Sequence, residues 1–292
     1  MAEQPKLEHV LGRLESLVDR VEALIPAPAP EADLDAALAF RWRKGGGAGH
    51  LQPVAHPHRI RLGDLHSIDR QKHELHRNTL QFVQGLPANN ALLWGSRGTG
   101  KSSLVKALLN EFAEVGLRLI EVDKHDLIDL PEIVERIRNS KDRFILFSDD
   151  LSFEANDPSY KALKAILDGS VYAPPENVLL YATSNRRHLL PEYMSDNLDA
   201  HRVDGEIHHS EAVEEKISLS ERFGLWISFY PFKQDQYLEI ALYWLGALDA
   251  LPRDHEAVKQ AALQWALTRG SRSGRSAYQF ALDWAGRHRL ED

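Results

Sequence analysis

The chain has 292 residues, is 43% hydrophobic and 27% charged, and carries a formal net charge of −8. These totals suit one large or two modest globular domains and exclude nucleic-acid binding by bulk charge alone; with no run near the ~20 apolar residues of a membrane helix, they predict no membrane partner. There is no cysteine, which excludes disulfides and thiolate zinc sites, and the charged start MAEQPKLEHVLGRL does not read as a secretory signal, so the expected location is the cytoplasm.

In residues 7–25, Leu7, Leu11, Leu14, Val18, Val21 and Ile25 recur at alternate spacings of four and three. That spacing predicts a helical seam of about three heptads, widened by Val10, Leu17 and Leu24. The seam suits docking on the chain's own body or contact with a partner. IPAPAPEAD then reads as a stiff, extended linker, closing an N-terminal extension over 1–30. Asp33 to Arg43 is expected to be helical and KGGGAG a flexible break, so 31–60 reads as a connecting helix and a basic Gly-rich segment. Charge is uneven: Arg41 to Arg77 holds eight Lys/Arg against three acids, and Glu192 to Lys216 holds eight acids against two bases. Such runs are solvated surface, or faces met by a neighbouring subunit or a polyanion.

From residue 61 the pattern alternates. A helix is expected over Ile68 to Phe82, a turn at GLPANN and a strand over Ala91 to Trp94. A helix follows from Lys101 to Glu114, then a strand over 117–123. Pro131 suits the first turn of a helix running to Asn139. FILF (144–147) reads as a strand, Tyr160 to Leu167 as a helix and NVLLYAT (177–183) as a strand. Short apolar strands alternating with helices predict a parallel sheet covered on both faces. From Gln234 onward only helical patterning remains. The fold class is therefore α/β: a parallel-sheet core over 61–232, then a small all-helical lid domain over 233–292, behind an N-terminal helical extension. Trp226, Phe229, Tyr230 and Phe232 are expected to pack between core and lid.

The stretch Gly95-Ser96-Arg97-Gly98-Thr99-Gly100-Lys101-Ser102 fits G-x-x-x-x-G-K-[ST], between the expected strand and helix. Glycines let successive N–H groups, including that of Ser103 on the helix, point at phosphate oxygens, and the helix N-terminus adds its positive end. Lys101 would reach the outer phosphates, and the Ser102 hydroxyl would hold Mg²⁺. FILFSDD places Asp149 at a strand end, expected to be adjacent to the loop strand, where it would hold the metal's water shell. Asp150 would polarise the attacking water. In LLYATSN, Asn185 at the next strand tip could bond both water and phosphate. In LSERFGLW, Arg222 comes late enough to enter a neighbouring subunit's site. In SRSGRSAYQF, Arg275 could touch the γ-phosphate from the lid, with Arg272 as its competitor.

A P-loop, an Asp-Asp pair, an Asn, an Arg and a helical domain with a second Arg, spaced by roughly 47, 36, 37 and 53 residues (counted along the sequence), resemble the AAA+ ATPases. The phrases GLPANNALLWGSRGTGKSSLVKALL, FSDDLSFE, YATSNRRHLLPE and SERFGLW are similar to an uncharacterised bacterial family of predicted AAA+ ATPases; in motif style they stand near the replication initiator and helicase-loader branch. The resemblance implies Walker A, Walker B, sensor 1, arginine finger and sensor 2 roles in that order, with ATP and Mg²⁺ as ligands. It also implies a homo-oligomer formed through the finger, acting on an unknown protein or nucleoprotein client. Ile68 falls where this family lines the adenine pocket, though a helix-core role also suits it. Asp150 departs from the usual Glu, which shortens the carboxylate by one methylene and suggests slow turnover. Glu154 is near in sequence. Arg186 and Arg187 follow the sensor position and could read phosphate, a neighbour or nucleic acid, or lie exposed. The histidines, His56, His58, His208 and His209 among them, show no metal-ligand spacing. An ATP-driven remodelling machine is the first expectation and a slow nucleotide-gated switch the alternative. A small-molecule P-loop kinase is disfavoured by the helical tail and the lack of an evident acceptor pocket.

Overall fold

The computed structural model describes residues 12–17, 32–44, 49–153, 157–168, 175–187, 201–203, 206–208, 221–251 and 254–291, together with residues 20 and 189. Its core is a seven-stranded sheet in the order β2-β1-β4-β5-β6-β3-β9. In chain order the strands are β1 (Ala39–Lys44), β2 (Gly49–Pro53), β3 (Ala91–Gly95), β4 (Leu117–Glu121), β5 (Arg143–Ser148), β6 (Val178–Ser184) and, last, β9 (Leu225–Phe229); a separate hairpin pairs β7 (His201–Val203) with β8 (Glu206–His208). All pairings within the seven-stranded sheet are parallel except β1 with β2.

The strands feed two apolar layers because successive side chains point to opposite faces. Ala91 and Leu93 of β3, Ile145 and Phe147 of β5, and Leu179 and Tyr181 of β6 face one layer. Leu92, Phe144, Leu146, Leu180 and Ala182 face the other. Helices α1 (Asp69–Val83) and α2 (Lys101–Phe112) cover the first face, and α3 (Leu130–Ile137) and α4 (Pro158–Asp168) the second. The apolar positions Leu104, Val105, Leu108, Leu109 and Phe112 of α2 are all buried, a helical stripe turned to the sheet.

Past the sheet, α5 (Gln234–Ala247), α6 (His255–Arg269) and α7 (Gly274–Glu291) form the helical domain. Its buried Tyr237, Ile240, Leu245, Phe280 and Ala281 are continuous with the α1/α2 layer. The α/β class with a helical C-terminal domain is thus present as expected.

Three expectations are corrected. Asp33 to Arg43 is not a helix: residues 33–38 turn, and Ala39–Lys44 is a strand hydrogen-bonded to β4 and β2. Part of the connecting segment expected over 31–60 is therefore a pair of antiparallel strands at the sheet edge. The signal lay in the period of two, Phe40 and Trp42 buried between Arg41 and Arg43. Trp42 Nε1 donates to Asp129 Oδ2 at 3.1 Å, and the basic residues find acids: Arg41 with Glu121 (2.7 Å), Arg43 with Asp123 (3.2 Å) and Lys44 with Asp129 (2.7 Å). That part of the basic run is neutralised within the chain. Second, LWISF is a strand, β9, paired along β3. Of the four aromatics expected between the domains, Phe232 is buried there, its ring 3.7 Å from where a Cβ on Gly274 would lie, whereas Phe229 is buried in the first layer, Trp226 packs on the second, and Tyr230 is 64% exposed. Third, β5 is not the neighbour of β3, because β6 lies between them.

At the N-terminus, residues 12–17 are helical with Leu14 and Leu17 exposed; the remainder of the expected seam, apart from residue 20, lies outside the described residues. So do Glu154, His209 and most of the acidic run from Glu192 to Lys216.

Candidate functional site

The loop leaves β3 through Gly95, whose φ of 126° and close approach to β9 admit no side chain: a Cβ there would sit 1.9 Å from the Phe229 carbonyl oxygen. Ser96 N–H donates to that same carbonyl at 3.0 Å, which fixes the loop against the sheet edge. Thr99 Oγ1 closes the turn on Ser96 O at 2.7 Å. The chain then enters α2 at Lys101, with Gly100 as its N-cap in the left-handed region.

Lys101 folds back into its own loop. Its Nζ donates to Gly95 O and Ser96 O, each at 2.8 Å, and to Asn185 Oδ1 at 3.3 Å. Burial lowers its pKa to about 8, against the opposing pull of Asp149 and Asp150; Arg97 and Arg275 lower it further. The ammonium is thus held by carbonyl dipoles that a polyanion's oxygens can replace.

The end of β5 brings in the acids. Asp149 accepts the Ser102 hydroxyl at 2.6 Å, so the carboxylate spans the width of β6 to reach the first turn of α2. Asp150 stands in the left-handed region, φ 55°, which a short polar side chain tolerates better than most. Its carboxylate receives the amide of Asn185 and faces Arg97 of the loop at 3.6 Å. Asn185 follows β6 directly and links Lys101 to Asp150.

These residues share one cavity of about 820 Å³. Arg97, Gly98, Thr99, Gly100, Lys101, Ser102, Ser103, Asp149, Asp150 and Asn185 line its core side, and Phe232, Ile240, Trp244, Gly274, Arg275 and Tyr278 its lid side. Ile68, the residue before α1, is 4% exposed, lines the cavity and would lie 3.4 Å from a Cβ on Gly100. Arg275 sits in the first turn of α7 and lines the cavity, whereas Arg272 does not. The crest of the loop touches the lid, since Gly274 N–H donates to Gly98 O at 2.8 Å.

Arg222 lies elsewhere. It precedes β9, whose first residue Leu225 pairs with Ala91 at the start of β3; the cavity is at the other end, where Gly95 pairs with Phe229. Arg187 lies 5.6 Å over the Trp94 ring, and Arg186 N–H donates to Ser184 Oγ at 3.1 Å.

The donors grouped at Ser102 and Asp149, a hydroxyl and a carboxylate, are the hard oxygens that suit Mg²⁺. Among the described residues no cluster of three or more His, Asp or Glu side chains has the makings of a separate metal site, and no helix is long and apolar enough to cross a membrane. Motif reading missed the wall that His66, Leu65, Trp244 and Tyr278 form beside Phe232, and it missed Thr183, which also lines the cavity.

The profile of one family, described as "Protein of unknown function (DUF815)", matches residues 35–288. A comparison with the curated proteins finds no match. Among solved structures, the chain is similar to the Thermotoga maritima RuvB Holliday junction branch migration motor, at 15% identity and a TM-score of 0.42, over 77% of this chain and 70% of that one. A single-substitution variant of the same motor gives 15% identity and a TM-score of 0.43 over the same shares.

Proposed function

The chain belongs to the DUF815 family, a membership that assigns no reaction, and from the geometry of the site we propose that it binds ATP with Mg²⁺ and hydrolyses it as an AAA+ ATPase. The observation that carries the reading is the convergence of Lys101, Ser102, Asp149, Asp150 and Asn185 on the cavity between core and lid. The loop N–H groups and Lys101 bind the phosphates. Ser102 and Asp149 hold the metal, which supplies charge neutralisation across the outer phosphates. Asn185 orients the attacking water, and Asp150 takes up its proton. Ile68 packs on the base, and Arg275 reads the γ-phosphate from the lid. Arg222 acts on a neighbouring copy, in a homo-oligomer that remodels a protein or nucleoprotein client.

A slower, gated reading has one observation in its favour. Asp150, the proton acceptor, is engaged by both Asn185 and Arg97. ATP must draw these partners away before Asp150 can act, which makes binding a switch and turnover a later event.

The test is ATP binding and phosphate release by the whole chain and by Lys101→Ala. The variant is expected to bind ATP at least about tenfold more weakly, the scale of a lost charge-assisted bond, and to release no phosphate. Wild-type affinity in Lys101→Ala would overturn the phosphate-binding role. ATP binding without phosphate release in the wild type would replace the hydrolase with the switch.

A further inference from the structure

Asp149 follows β5, a strand that is not next to the one leading into the phosphate loop, yet its carboxylate reaches Ser102. The intervening strand supplies the reason. Thr183, near the end of β6, is 1% exposed. Its hydroxyl donates to Asp149 Oδ1, the same oxygen that receives the Ser102 hydroxyl, and accepts Asp150 N–H at 2.9 Å. A hydroxyl has one hydrogen and two acceptor lone pairs, so one atom serves both acids in opposite senses: it gives a proton contact to the Asp149 side chain and takes one from the Asp150 backbone. The Thr183 carbonyl then accepts Leu151 N–H at 2.7 Å, and Ser184 Oγ donates to Leu151 O at 2.7 Å. Three consecutive residues after β5 are therefore fastened to the tip of β6.

The fastening fixes direction as well as place. Asp150 stands at φ 55°, a conformation that persists only where surrounding bonds hold it. The Thr183 hydroxyl holds its N–H, and so turns the Asp150 carboxylate toward Asn185 and Arg97 while Asp149 faces α2. We infer that Thr183 is a positioning residue for the metal-holding carboxylate, acting through its hydroxyl on Asp149 and not on the substrate. The inference rests on the proposed Mg²⁺·ATP reading of this cavity.

The test follows binding of a fluorescent ATP analogue to the whole chain over a series of free Mg²⁺ concentrations and in EDTA. Thr183→Val keeps the shape and removes the hydroxyl; Thr183→Ser keeps the hydroxyl and removes the methyl. The Val variant is expected to need about tenfold more Mg²⁺ for half of the metal-dependent binding change, the effect of one lost hydrogen bond to a charged group. Binding in EDTA should not change, and the Ser variant should stay within about twofold of wild type. Should Thr183→Val fail to fold, Thr183→Ala carries the same test without placing a methyl against the carboxylate. A hydroxyl-free variant with wild-type Mg²⁺ dependence overturns the inference. So does a Ser variant as impaired as Val, or wild-type binding that ignores Mg²⁺. Phosphate release measured alongside separates the two claims: its absence in a wild type that still responds to Mg²⁺ overturns hydrolysis, and the variants' Mg²⁺ dependence still decides the role of Thr183.

Discussion

Lys101 shows how one residue's surroundings make binding depend on pH. Burial brings its pKa down to about 8, with the loop's own carbonyls as its main partners. Phosphate oxygens in their place favour the charged form, so the pKa rises on binding. Binding must then take up a proton wherever Lys101 has lost it, from pH about 8 upward. ATP affinity is expected to be flat below that pH and to weaken above it. Calorimetry in two buffers of different ionisation enthalpy should show proton uptake on the alkaline side and little at pH 7; affinity unchanged from pH 7 to 9.5 would refute the coupling. At this scale the sequence was readable where chemistry is local. Eight consecutive residues, Gly95 to Ser102, carry the whole loop signal, so reading it needs no knowledge of which distant parts of the chain meet. Thr183 was not readable, because its role depends on β6 lying between β3 and β5, a fact no neighbouring residue carries.

At the scale of elements, two contacts join parts that the chain order keeps apart. Tyr181 of β6 is fully buried, and its hydroxyl meets Asn78 Nδ2 at 3.0 Å and Thr79 Oγ1 at 2.9 Å, both on α1. Burial pushes its pKa up to about 12, so it stays neutral over any ordinary pH range and serves as a hydrogen-bonding pin. Tyr181→Phe leaves two buried polar groups short of a partner and is expected to cost about 1–3 kcal/mol, read as a lower melting temperature with ATP affinity kept. The second contact is the loop crest against the lid. Gly98 has φ 73°, and a Cβ there would lie 2.8 Å from Ser273 Cβ. Gly98→Ala therefore carries a left-handed backbone cost of about 1–2 kcal/mol and pushes the lid away from the loop. It should weaken ATP binding and speed proteolytic cleavage between core and lid; wild-type values for both would mean that lid and loop bind independently. Elements with apolar runs or a helical stripe were legible. The strands β1 and β9 were not, because each has only a few alternating positions, Phe40 and Trp42 in one and Trp226 and Ser228 against Ile227 and Phe229 in the other. A composition rich in Ala and Leu just before β1 pulled that reading toward a helix.

At the scale of the whole molecule, the question is whether one chain holds a complete site. The steps from Leu225 to Phe229 alone cover about 13 Å at the rise of a parallel strand, and Arg222 lies three residues further from the cavity. An arginine side chain does not cross that distance, so within its own chain Arg222 cannot stabilise charge developing on a bound triphosphate. Either it serves a second copy, or it has no part in the chemistry. The two alternatives differ in how rate depends on concentration. If Arg222 completes a neighbour's site, phosphate release per subunit climbs with protein concentration and levels off once assembly is full; Arg222→Ala binds ATP as the wild type does and loses at least about a thousandfold in turnover, the low end of the range over which such arginines act. Mixing the variant with Lys101→Ala should then restore activity, because each supplies what the other lacks: an intact loop from the first and an intact arginine from the second. A rate per subunit that is flat with concentration, unchanged in Arg222→Ala and not rescued by mixing, would place the whole catalytic apparatus within the one cavity, with Arg59, Arg97 and Arg275 as the arginines that line it and remain to meet the phosphates.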